Sequence, residues 1–169
     1  MAQFSLYWPL ENGLEGTAYE NVPGDQPTKF GLIADDLTEF YGMPCDATDV
    51  KNLTSVEASA ILKKLYWDFF LADQITNQNL AEFIVDSALL NGRRTIAVPV
   101  QEVLGVVADG KPGAKTLAAI NKANPFELYC KLWGYRLRRF DEIVQASPAK
   151  KKFYAGWINR LNAVKVSPV

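Results

Sequence analysis

The sequence predicts a mainly α-helical protein. Three observations carry that prediction. Apolar residues recur at three- and four-residue spacing through most of the chain, the pattern of one helix face. Helix punctuation brackets these stretches, with Thr54 and Pro125 placed as openers and Gly42 and Gly92 as closers. No stretch reads convincingly as a strand longer than three or four residues. The 169 residues suit one domain or two small lobes, and at 49% apolar the chain can bury a core without staples.

The elements follow in order. "FSLYWPLENGL" reads as a short helix with Phe4, Tyr7, Leu10 and Leu14 on one face, and Pro9 in its first turn or at a kink. The next segment is rich in Gly and Pro and runs as loop, with room for a small hairpin within residues 19–34. "ADDLTEFYG" is a helix closed by Gly42. In "TSVEASAILKKLYWDFFLADQI" a Thr54–Glu57 capping box opens one helix, and Ala58, Ile61, Leu62, Leu65 and Phe69 form its stripe. "NQNLAEFIVDSALLNG" is the next helix and ends at Gly92; "TIAVPVQEVLG" continues helically through Pro99. Asp109-Gly110 and Pro112-Gly113 punctuate a link, after which "AKTLAAINKA", "PFELYCKLWGYRLRRFDEIVQ" and "PAKKKFYAGWINRLNAV" are helices.

Composition narrows the chemistry. There is no histidine, which removes His-activated nucleophiles and most catalytic zinc sites. Acid–base work then falls to carboxylates, lysine or tyrosine. The two cysteines, Cys45 and Cys130, read as small buried hydrophobes rather than a disulfide. No apolar run approaches the ~20 residues that span a bilayer, so no membrane insertion is expected. "MAQFSLYWPLENG" has no basic n-region or cleavage site, so no classical signal peptide is expected. Residues 1–92 carry a net −10 and residues 93–169 a net +9. Either the two halves pack against each other, or the basic half meets a polyanion. No helix-turn-helix, zinc or stacking motif accompanies the charge, so nucleic acid is not the expected partner.

Glu15 ends the first apolar helix, with Trp8, Leu14 and Tyr19 close in sequence. Apolar neighbours disfavour the charged carboxylate, so its pKa is expected to rise, and a protonated carboxyl can protonate a leaving oxygen. Asp25 is a second carboxylate that could orient water or stabilise an oxocarbenium ion, and Thr28 a hydroxyl that could position that water. Each also has a plain structural reading: a helix-end surface residue, an Asx-type turn and a cap.

Five segments in order resemble glycoside hydrolase family 108, the phage and bacterial N-acetylmuramidases. Glu15-Gly16-Thr17-Ala18-Tyr19, "ENVPGDQP" and Thr28-Lys29-Phe30-Gly31 resemble its Glu-Gly-Gly-Tyr motif and the loop ending in Thr-x-x-Gly. Tyr66-Trp67-Asp68 is similar to its Tyr-Trp-Asp segment, and Asp86, Asn91 and Gly92 to its Asp-x-x-x-x-Asn-Gly helix. Gln101, Leu104-Gly105, Asp109-Gly110, Gly113 and Thr116 resemble the peptidoglycan-binding segment of that family. Gly156, Trp157 and Arg160 resemble its closing Gly-Trp-x-x-Arg motif. The second glycine of the first motif is absent, with Thr17 and Ala18 in that region.

The resemblance implies a lysozyme-like helical bundle, with a catalytic lobe over residues 1–92 and a peptidoglycan-binding-like lobe over residues 93–169. It implies hydrolysis of the β-1,4 bond between N-acetylmuramic acid and N-acetylglucosamine, with peptidoglycan as partner and no metal or organic cofactor. Glu15 would be the general acid, with Asp25 and Thr28 assisting. Tyr19, Trp67 and Asn91 would bind substrate. Trp67 and Trp157 also read as core anchors, and Asn91 also as a strut for the loop. Asp86 is placed to pair with a basic residue of the C-terminal half. The implied source is a phage, prophage or bacterium, with release to the wall by a holin or a dedicated route. Two rivals stand beside this reading. One is a peptidoglycan-binding or phage structural protein that kept the fold and lost activity at the altered loop. The other is a lytic transglycosylase, which uses one Glu and needs no second carboxylate.

Overall fold

The computed structural model describes residues 1–15, 17–23 and 25–168; the side chains of residues 9–12, 14 and 15 lie outside that description. The expected helical architecture is present. Helices α1 (Phe4–Glu15), α2 (Ala34–Tyr41), α3 (Ala47–Asn52), α4 (Ser55–Leu62) and α5 (Gln78–Asn91) occupy the first half. Helices α6 (Arg93–Val103), α7 (Ala114–Lys122), α8 (Pro125–Ala146) and α9 (Tyr154–Leu161) occupy the second. The signals that start and stop them are those the sequence shows. Thr54 Oγ1 accepts from Glu57 N and the Glu57 carboxylate accepts from Thr54 N, which completes the capping box. Gly42 closes α2 at φ 71°.

The centre of the molecule is α5. Residues 80–89 are all buried, so this helix is enclosed rather than one-sided. Helices α6 and α8 pack on it, and α9 packs on α8. Trp67 fills the other side of the core, fully buried, with the ring of Tyr7 stacked on it at 5.5 Å and that of Phe4 edge-on at 5.6 Å.

Two expectations need correction. The long helix read over residues 54–75 does not run through. After α4 the chain makes a π turn (Lys63–Trp67) and two 3₁₀ turns, Asp68–Phe70 and Ala72–Gln74, on either side of Leu71 at φ 53°. The cause is polar. Asp73 folds back to accept from Trp67 Nε1 at 2.6 Å and from Lys63 Nζ at 2.9 Å, and Lys63 also pairs with Asp68. Helix α3 is an element additional to those expected, opened by a capping box of Asp46 and Asp49. Cys130 is exposed rather than buried; it and Cys45 are both free thiols.

Enclosing α5 brings charge into the core. Asp86 Oδ2 accepts from Arg136 Nη1 at 3.0 Å and its Oδ1 from Arg160 Nε at 2.8 Å. The expected partner from the C-terminal half is thus two arginines, one on α8 and one on α9. Arg136 lies 5.5 Å from the Phe83 ring and 5.7 Å from the Phe140 ring; its Nε and Nη2 have no hydrogen-bond partner among the described residues. The rings supply cation–π attraction where donors go unanswered.

Glu82 sits one turn before Asp86. Burial holds its carboxyl above the ordinary value, opposed by a hydrogen bond from Gln78 Nε2 at 2.7 Å. A raised folded-state pKa means the native state binds more protons than the unfolded state above the ordinary value. The stabilising effect of that proton is present at low pH and fades as pH rises through the folded value. Glu82→Gln keeps the acceptor and removes the titration. Denaturant titrations should therefore show the variant gaining stability relative to the parent as pH rises above the ordinary carboxylate range, with no gain below it.

Candidate active site

The chain after α1 makes a small two-stranded arch, the hairpin for which residues 19–34 have room. Glu20 N donates to Thr28 O at 2.8 Å and Thr28 N donates to Glu20 O at 2.9 Å. Residues paired in this way send their side chains to the same side. Asp25 N closes a turn inside the arch by donating to Val22 O at 3.0 Å. A second, tighter turn follows, in which Lys29 and Leu32 pair across Phe30 at φ 55° and Gly31 at φ 74°. Positive φ at both central residues is the requirement of a type I′ turn. Gly31 meets it without steric cost. Phe30 is held there by burial, with its ring 6.1 Å from that of Trp8.

The arch forms one wall of an open groove of about 320 Å³. Glu20, Asp25 and Thr28 line that wall. Leu90, at the end of α5, forms part of the base. Lys150, Phe153 and Trp157 line the opposite wall and come from the 3₁₀ turn Pro148–Phe153 and from α9. The two walls touch where Lys150 Nζ reaches Asp25 Oδ1 at 3.3 Å. The groove therefore holds two carboxylates, a hydroxyl, an ammonium and an aromatic surface, a set that suits a polar ligand with apolar ring faces.

The sequence-derived residues divide as follows. Asp25 and Thr28 share the groove. Glu15 is the last residue of α1, and its side chain lies outside the described residues. Tyr19 is half-buried against the core beside Glu20. Asn91 donates through Nδ2 to Ser87 O of its own helix at 2.9 Å, next to Leu90. Trp67 is corrected: it is fully buried, with the Phe4 and Tyr7 rings packed on it and its N–H committed to Asp73, so it anchors the core and has no surface for a sugar. Its counterpart is Trp157, half-buried between the core ring of Phe140 at 5.3 Å and that of Phe153 at 6.2 Å, with the rest of its surface on the groove.

Sequence reasoning singles out neither Glu20 nor Phe153, and places Lys150 only within a solvated basic run that could meet an anion. Glu20 enters only through its register with Thr28, which the loop composition does not reveal. Lys150 and Phe153 share the i, i+3, i+7 spacing that ends at Trp157, a signal that was readable once Trp157 was suspected. The Gly-Trp-x-x-Arg segment has a direct account. Arg160 ties α9 to Asp86, and Trp157, one turn earlier, is thereby held at the groove.

Comparisons with known proteins agree with this architecture. The family model for "Glycosyl hydrolase 108" matches residues 12–92, and that for "Predicted Peptidoglycan domain" matches residues 96–162. Eleven chains of solved structures match. Among them, the structure of Brucella abortus SagA is 28% identical, with a TM-score of 0.82 over 95% of this chain and 90% of that one. No curated protein matches. The mainly helical, lysozyme-like fold follows. The groove draws its walls from both matched regions, the arch from the first and Lys150, Phe153 and Trp157 from the second.

The turn that carries the arch gives a test. Gly31→Ala places a Cβ at φ 74°, which should cost about 1–2 kcal/mol, read as a lowered denaturation midpoint with unchanged m-value.

Proposed function

We propose, for a chain that belongs to the glycosyl hydrolase 108 family, that its groove cleaves the β-1,4 bond between N-acetylmuramic acid and N-acetylglucosamine. At the coarser level the two matched regions make it a peptidoglycan hydrolase, with peptidoglycan as its partner at the cell wall. Among the described residues no helix is long and apolar enough to cross a membrane. The observation that carries the finer reading is the gathering of Asp25 and Thr28, with Glu20, on one wall of a groove whose other wall is aromatic.

Glu15 is the general acid of this reading. It ends α1, five residues before the arch begins at Glu20. Protonation of the glycosidic oxygen by its carboxyl lets the leaving sugar depart as an alcohol, while positive charge develops at the anomeric carbon. Asp25 is the carboxylate that stabilises that charge or takes a proton from water, and Thr28 is the hydroxyl that holds the water. Tyr19 and Asn91 flank Glu20 and Leu90 in sequence and are assigned to the neighbouring sugar rings.

One observation favours a second reading. Asp25 is engaged by Lys150, and a transglycosylase, which closes an anhydro ring on the muramic residue itself, needs no second carboxylate. The products distinguish the two: reducing muramic ends come from hydrolysis, anhydro-muramic ends from transglycosylation.

Turbidity of purified cell walls tests the catalytic role. The parent chain should clear them, and Glu15→Gln should clear them about 10²–10⁴-fold more slowly. A parent that clears nothing, or a variant that clears as fast, contradicts the reading.

A further inference from the structure

The far wall of the groove belongs to the peptidoglycan region, and its chemistry differs from that of the arch. Lys150, Phe153 and Trp157 lie at i, i+3 and i+7, which brings an ammonium to the end of an aromatic surface. Phe153 and Trp157 stack at 6.2 Å with an interplanar angle of 29°, and Lys152 Nζ lies 4.8 Å from the Phe153 ring. Lys150 is not spent on structure. Its side chain is 42% exposed, and Asp25 takes one of its three donors through a 3.3 Å contact. It stands in the half of the chain that carries a net +9. Facing it, the arch brings Glu20 and Asp25. A neutral sugar would need only the aromatic surface and hydrogen bonds. An ammonium beside that surface adds a selective contact for a sugar that carries a carboxylate.

We propose that Lys150, Phe153 and Trp157 form a subsite that reads a carboxylate-bearing sugar, with the ring on the aromatic surface and the carboxylate on Lys150. The subsite rests on the reading of the chain as a peptidoglycan hydrolase for its substrate class. In peptidoglycan that chemistry has two sources: the free lactyl carboxylate of a muramic residue without its peptide, and the carboxylates of an attached stem peptide. On either source, Lys150 leaves or shares Asp25 when the ligand arrives, so occupation of the subsite frees the arch carboxylate for its own work. The peptidoglycan region then acts as one wall of the active groove and sets which sugar occupies it.

Calorimetric binding to the full chain carrying Glu15→Gln, which removes the proposed acid, tests this with four tetrasaccharides of alternating N-acetylglucosamine and N-acetylmuramic acid. One has free lactyl carboxylates, and a second has them capped as methylamides. A third carries an alanyl-isoglutamate dipeptide, and a fourth carries that dipeptide with its carboxylates capped. At least one free form should bind about tenfold more tightly than its capped partner. Lys150→Met should abolish that preference, and Lys150→Arg should restore it. Whichever pair shows the preference identifies the source. Equal binding within both pairs, or a preference that survives Lys150→Met, overturns the subsite. Wall clearing by the parent chain keeps the two readings apart. Clearing without a binding preference removes the subsite alone, and a preference without clearing removes the hydrolase reading and leaves the subsite standing.

Discussion

A carboxylate enclosed in the middle of a protein has to be answered by cations, and Asp86 is answered by two. Arg136 reaches it from α8 and Arg160 from α9, both from the C-terminal half. Side chains buried to this degree lose most of their hydration, and the pairing offsets that loss only while the set is complete. Removing one partner of a buried pair typically costs about 3–5 kcal/mol. The set therefore contributes geometric constraint more than net stability. It fixes where α8 and α9 sit on α5, and everything those helices carry is placed accordingly.

That constraint explains how two regions with separate family matches come to build one groove. Arg160 holds α9 from within, one turn from Trp157 at the surface. Among the described residues, two further ion pairs cross between the halves nearer the surface. Lys150 meets Asp25 of the arch, and Arg93 meets Glu39 of α2 while its guanidinium lies 5.4 Å from the Tyr66 ring. The Lys150–Asp25 pair is partly exposed and holds the two walls only weakly, which suits a groove that must admit a ligand. The opposite net charges of the two halves thus have a structural use: acidic and basic residues meet across the junction, at depth and at the surface.

The sequence showed those features whose causes are local. Thr54 and Glu57, Gly42, Gly92 and Pro125 act within a turn of themselves, so the ends of α2, α4, α5 and α8 were readable. Asp86 was readable as a partner for a basic residue of the C-terminal half, because it falls on the side of its helix away from Ile84. Which arginines answer it was not readable, since Arg136 and Arg160 stand 50 and 74 residues away. The break at Leu71 depends on Asp73 folding back to Trp67, a side-chain choice that periodicity does not record. Trp67 and Trp157 show the limit most plainly. Both lie in family motifs, but one is enclosed by Phe4 and Tyr7 and the other opens on the groove. Residue type cannot separate them; the packing of α1 on Trp67 and the hold of Arg160 on the helix that carries Trp157 do. Glu20 was hidden for a related reason, because its role comes from its register with Thr28 and not from its neighbours in the chain.

The central claim is that Arg160 on Asp86 holds α9, and with it the aromatic wall of the groove. Native-state hydrogen exchange of Arg160→Met tests this most directly, because the substitution keeps side-chain volume and leaves Arg136 on Asp86. The account predicts that amides of Tyr154–Leu161 lose about tenfold or more protection beyond any loss shared with α5, a further drop of about 1.4 kcal/mol in local stability. Protection across α9 that is unchanged, or that falls only as much as that of α5, would contradict it.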